Sequence, residues 1–137
     1  MERAIKLNKN AYEDILAHAK EAYPEECCGV LLGTEETGIS EIHRLENHSG
    51  NAALHFQTDP IEIYHLERES EKRGLSVLGF YHSHPDHEAV TSEEDKYYMI
   101  PELVYLIVRI TGEGTAELRS YRNIDNKIIG QEVAGTA

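Results

Sequence analysis

Basic residues are scarce in this sequence. Lys and Arg together number 13 against 25 Asp and Glu, a formal charge of −12 at neutral pH. Nucleic acid and anionic membrane surfaces both require a positive face, and this balance argues against either as a partner. Cysteine is also rare, with only Cys27 and Cys28. Adjacent residues rarely close an unstrained disulfide, so no disulfide framework is expected and a reducing, cytoplasmic setting is favoured. Long apolar runs are missing. The longest, Leu103 to Val108, is far shorter than the ~20 residues that cross a bilayer. The start, Met1-Glu2-Arg3-Ala4, leads into polar residues, so no signal peptide is expected. No internal repeat, low-complexity tract or Gly/Ser linker divides the 137 residues, which read as one domain over 1–137. A domain of this size buries about two thirds of its unfolded surface. It needs no metal to hold its fold, so a metal here would serve chemistry.

What is present begins with a composition of 40% hydrophobic and 28% charged residues, ordinary for a folded domain. Eight histidines are the one surplus. The spacing of Tyr12, Ile15, Leu16 and Ala19 predicts a helix over 8–22, capped by Asn8 or Asn10 and ended by Pro24. Cys27 to Leu32 reads as a buried strand stopped by Gly33, with a hairpin turn at 34–38 and a second strand over Ile39 to Leu45. Residues 46–58 are polar and irregular, a long loop. Asp59, Pro60 and Glu62 open a second helix with Ile61, Tyr64 and Leu66 as its apolar side and Gly74 beyond its end. Strands are expected over Leu75–Tyr81, Leu103–Ile110, Thr115–Tyr121 and Ile128–Val133, with a short helix from Ser92 to about Ile100. The fold class is α/β, a single-domain mixed sheet with antiparallel parts flanked by helices.

The chemistry concentrates in His82-Ser83-His84-Pro85 and the following Ser92-Glu93-Glu94-Asp95. Residues two apart on a strand point to one side, so His82 and His84 can present both imidazoles to one cation. Asp95, in the first turn of the next helix, can fold back to the same point. Two histidines and a carboxylate leave the fourth position of a tetrahedral zinc open for water, the mark of a catalytic site. Blander readings stand beside this one. A His-x-His pair can be solvated or satisfied, and Ser92 with Asp95 also forms a plain capping box. Glu25-Glu26 after Pro24 would ordinarily be a charged turn. The other six histidines fit no ligand spacing and read mostly as surface. Cys27 and Cys28 fall on opposite faces of their strand. A zinc deaminase would carry Cys-x-x-Cys after His-x-Glu, and neither is present.

Taken together, the string His-Ser-His-Pro, seven residues from Pro85 to Thr91, then Ser92-x-x-Asp95, with Pro24-x-Glu26-x-Cys28-Gly29 upstream, resembles the JAMM motif of the MPN-positive zinc metallopeptidases. The compact prokaryotic branch is the nearest in pattern. Phe56-x-x-Asp59-Pro60, Gly79-Phe80-Tyr81-His82 and Ser120-Tyr121-Arg122 extend the likeness over most of the chain. Thr91 stands where many members have Pro. The resemblance implies an MPN/JAB fold with cytidine-deaminase-like architecture. It implies one zinc per chain on His82, His84 and Asp95 with a bound catalytic water, Glu26 as general base and Ser92 as oxyanion stabiliser. It further implies cleavage of an amide bond after the Gly-Gly end of a ubiquitin-like β-grasp sulfur carrier of the ThiS, MoaD or CysO type. Such cleavage would remove a C-terminal extension or release a cysteine. Isopeptidase action on protein conjugates, a small-molecule hydrolase and a non-catalytic MPN scaffold are the alternatives. The loop 46–58 is a candidate for the substrate-tail side. The oligomeric state stays open, a homodimer included.

Overall fold

A computed structural model describes residues 5–46, 60–86, 103–125, 127–131 and 133–136. The elements follow in the order β1 (Ile5–Asn8), α1 (Lys9–Ala22), β2 (Cys28–Thr34), β3 (Gly38–Leu45), α2 (Pro60–Lys72), β4 (Ser76–Pro85), β5 (Val104–Ile110), β6 (Ala116–Ile124), β7 (Lys127–Gln131) and β8 (Val133–Thr136). All eight strands form one sheet in the order β7-β6-β5-β4-β2-β3-β1-β8. The pairs β4–β5, β1–β3 and β1–β8 are parallel. The pairs β2–β3, β2–β4, β5–β6 and β6–β7 are antiparallel. The mixed sheet expected from the sequence is therefore present. Strands β7 and β8 lie at opposite ends of this order, yet one residue separates them along the chain. Two peptide units reach at most about 7 Å, so the sheet curls until its ends meet.

Each helix covers one face of the sheet. Helix α1 is capped by Asn8, whose Oδ1 accepts the Ala11 amide hydrogen at 2.8 Å. Ala11, Ile15 and Ala19 recur every fourth residue and are fully buried, packed with Leu7, Leu31, Ile39, Tyr81, Leu106 and Val108. Small residues at 11 and 19 let the helix lie close to the strands. On the other face, Cys28, Val30, Leu32 and Leu45 meet Ile63 and Leu66 of α2. That helix ends in a Schellman motif: the Leu75 amide donates to Ser70 O at 2.9 Å and the Gly74 amide to Glu71 O at 3.0 Å. Gly74 takes φ +76 there, a conformation that costs glycine least.

Three expectations need correction. Ile61 and Tyr64 do not form the apolar side of α2; they are 66% and 56% exposed, and the contacts come from Ile63 and Leu66. The error lies in phase, because a short helix with alternating apolar residues admits two stripes. Tyr12 likewise faces outward, and Ala11 takes its place in the α1 stripe. The segment expected as one last strand is two, β7 and β8, on different edges. Strand β1 had no sequence signal, since four residues are too few for a period to show. Asp59, the 46–58 loop beyond Glu46, and the 92–100 helix lie outside the described residues.

His18 is not a surface histidine. It is partly buried, its Nδ1 stands 2.7 Å from the Tyr81 hydroxyl, and the two rings meet edge to face. Burial, with the Arg44 charge adding to it, pushes the His18 pKa down to about 4 from 6.5. The folded protein thus resists the proton that the unfolded chain accepts. This contribution to stability is intact above pH 6.5 and is lost as pH falls towards 4. With the partial exposure of the ring discounted, the loss is about 1–2 kcal/mol. Urea titrations of metal-free wild type and His18→Gln at pH 7 and pH 5 measure it. Wild type should lose more stability over that interval than the variant. Equal losses would show that His18 carries no such linkage.

Candidate metal centre

The candidate site forms where β2 begins and β4 ends. These strands run antiparallel, with Cys28 opposite His82. Glu26, two residues before Cys28, is thereby brought beside the His-Ser-His segment. Strand alternation then sorts the side chains. Tyr81 belongs to the α1-side core and Phe80 to the α2-side core. His82 and His84 share the Phe80 side, and Ser83 turns to the other. A register shift between Leu31 and Leu32 leaves Leu78 as the extra residue of a bulge. It sets the phase of everything that follows in β4. One further residue there would exchange the faces of the histidines and the serine.

Two hydrogen bonds fix the crossing. The Ser83 amide donates to Cys27 O at 3.0 Å, and the Cys27 amide donates to Ser83 Oγ at 2.9 Å. Ser83 is fully buried. A second tie lies just outside. The Tyr23 hydroxyl donates to Asp86 Oδ2 at 2.6 Å, and the Asp86 amide donates to Ile110 O at 2.8 Å. Glu26 therefore sits on a segment held to β4 at both flanks. Asp86 takes φ +59, a turn that aspartate tolerates better than most residues.

The resulting geometry suits a cation. His82 is 3% and Glu26 6% exposed, and His84 is partly buried. The two Nε2 atoms are 3.1 Å apart. Two nitrogens bound about 2.0–2.1 Å from one tetrahedral zinc stand about 3.3 Å apart. One ligand atom from each of Glu26, His82 and His84 lies within 4.8 Å of the others. A buried carboxylate beside two imidazoles is an expensive arrangement in an apolar surround unless charges compensate it. Donors of nitrogen and oxygen without thiolate fit zinc of the hydrolytic kind. The residues present thus fit the ion that the motif implies.

Burial favours the thiol form of both cysteines. Burial raises Cys27 to about 11 and Cys28 to about 12, and the nearby Glu26 charge adds to both. Cys27 packs on the α1 side and Cys28 on the α2 side, the opposite faces expected. Of the sequence-derived site residues, the structure brings together Glu26, His82 and His84. Ser92 and Asp95 lie outside the described residues. Sequence reading missed Ser83, Tyr23 and Asp86. Ser83 had a signal, since its place between two histidines puts it on the reverse face. The Tyr23–Asp86 contact spans 63 positions and left none.

Among proteins of known description, a family profile for prokaryotic homologs of the JAB domain matches residues 8–124. A protein named desampylase from Haloferax volcanii is 33% identical over 118 residues, covering 82% of this chain and 85% of that protein. The CysO-cysteine peptidase of Mycobacterium tuberculosis is 31% identical over 120 residues, covering 87% of this chain and 82% of its own. A solution structure of a Desulfitobacterium hafniense protein superposes with a TM-score of 0.85 at 31% identity, covering 96% and 92% of the two chains.

Ser83→Ala tests the crossing. It leaves the buried Cys27 amide without its acceptor, at a cost of about 1–3 kcal/mol. Denaturant unfolding should show that loss, and a change below about 0.5 kcal/mol would mean that Ser83 Oγ does not hold the two strands.

Proposed function

The chain belongs to the prokaryotic JAB-domain family, and from that premise we propose that it is a zinc peptidase. In this reading it hydrolyses the amide bond after the Gly-Gly end of a ubiquitin-like sulfur carrier of the ThiS, MoaD or CysO type. The observation that carries the proposal is the convergence of buried Glu26 with two imidazoles whose Nε2 atoms are 3.1 Å apart. A scaffold would have no need to keep a carboxylate and two histidines together in its interior.

His82, His84 and Asp95 would hold the ion, and Ser92 and Asp95 are assigned from the motif. Zinc in such a site lowers the pKa of a coordinated water towards neutrality and polarises the scissile carbonyl. Glu26 supplies the proton chemistry. Its carboxylate takes the proton of the attacking water and passes it to the departing amine. The acyl half of the cleaved amide is released as the Gly-Gly carboxylate. The Ser92 hydroxyl donates to the oxygen on which charge develops. The ties at Ser83 and at Tyr23 keep the carboxylate at one distance from the histidines through both proton transfers. A Gly-Gly tail is thin and extended, so it can enter a narrow cleft and pair along a strand edge. Cleavage of protein conjugates is the second reading, favoured by the likeness to a protein named desampylase.

Purified protein should hold about one zinc per chain and lose activity with chelator. Glu26→Gln should keep the metal and lose at least 100-fold in turnover, since general base catalysis contributes about 10²–10⁴-fold. His84→Ala should bind zinc at least tenfold more weakly. Metal analysis and cleavage assays on a panel of extended carriers and one lysine-linked conjugate decide between the readings. Full activity in Glu26→Gln, or zinc uptake unchanged in His84→Ala, would sink the assignment.

A further inference from the structure

One cation beside the candidate centre has no role in the mechanism above. Strands β4 and β5 are parallel, and Arg109 is the register partner of His84. Register partners on neighbouring strands lie about 5 Å apart and turn to the same face. Both residues stand at the carboxyl ends of their strands. Arg109 is partly buried. Its Nε is shielded from solvent and has no hydrogen-bond partner. Among the described residues no carboxylate pairs with it. Glu117 is opposite Arg109 on β6, but its Oε1 accepts from Arg119 Nε at 3.3 Å. Arg119 is thus neutralised and Arg109 is not, in a chain with nearly twice as many acidic as basic side chains.

A shielded guanidinium donor without an acceptor is costly, and the fork of arginine matches a carboxylate. When a single amino acid follows a scissile amide, its α-carboxylate lies two bonds from the departing nitrogen. A lysine-linked conjugate has no such group, because its leaving nitrogen sits at the end of a long side chain. We propose that Arg109 binds the α-carboxylate of the residue released, so that this chain prefers carriers extended by one terminal amino acid. The preference rests on the peptidase reading; the carboxylate subsite does not.

Two measurements separate them. In the zinc-loaded, ¹⁵N-labelled protein, the Arg109 Nε–Hε resonance is assigned by its loss in Arg109→Gln. Titration with L-alanine should shift it and L-alaninamide should not. No shift with alanine, or equal shifts with both, overturns the subsite. In the second, ThiS-, MoaD- and CysO-type carriers extended by one alanine are offered as the free acid and as the carboxamide. Wild type should cleave the acid at least tenfold better in kcat/KM. Arg109→Gln should lose that factor on the acid alone and leave the carboxamide rate unchanged. Equal wild-type rates, or an equal loss on both substrates, overturn the preference. Cleavage of neither form, with the alanine shift intact, would sink the peptidase reading and leave the subsite standing.

Discussion

The site depends on the reciprocal hydrogen bonding of Cys27 with Ser83. Through it, a segment that has just left a helix is made part of the sheet and is locked in register with β4. The two-residue period of the strand does the rest. Beyond the bulge, alternate side chains of β4 turn to the α1 side, where Tyr81 joins the core and Ser83 holds the Cys27 amide. The intervening ones, His82 and His84, face the carboxylate of Glu26. Structural and chemical duties thus alternate along a single strand, and the two cannot be exchanged without moving the register.

The arrangement places its most expensive groups where the backbone is best anchored. Glu26 and His82 are nearly inaccessible, in a part of the sheet whose neighbours on either face are apolar. Fully packed positions such as Tyr81, Ile107 and Val108 surround the histidine strand. Gly29 shows how close that packing is. A methyl group there would meet the Tyr81 ring at 2.2 Å, so the Tyr81 ring lies directly over the backbone of the neighbouring strand at its register partner. Packing of this kind holds the two imidazoles aimed at one point.

Much of this was legible in the residues. Elements with strong local signals came through: α1 with Ile15 and Ala19 on its buried side, the turn at 34–38, the buried strand expected over Leu103–Ile110, and the end of α2 before Gly74. The histidine pair was legible because a strand period is simple and because the other six histidines fit no ligand spacing. Glu26 was legible only through the motif, since two glutamates after a proline read locally as surface. What could not be read are long-range facts. Nothing in the sequence tells that His18 reaches Tyr81, that Tyr23 reaches Asp86, or that Arg109 stands beside His84. Those pairings are set by strand order and by the bulge at Leu78. The faces of α2 were misjudged for a related reason, because which stripe is buried depends on what lies beneath it.

The curl of the sheet has a consequence for how the chain is made. Strand β1 has two neighbours, and one of them, β8, comes from the opposite end of the sequence, with Ile5 beside Val133. Synthesis proceeds from the amino end, so β1 is available long before its partner exists. The closing pair joins Ile5 to Val133, and loop closure of that length is slow to repay its entropy. Until β8 has been synthesised, one edge of β1 presents unpaired backbone groups to its surroundings. Completion of the sheet therefore waits for β8, and a nascent chain stalled before it is an open-edged species rather than a slightly smaller version of the same protein.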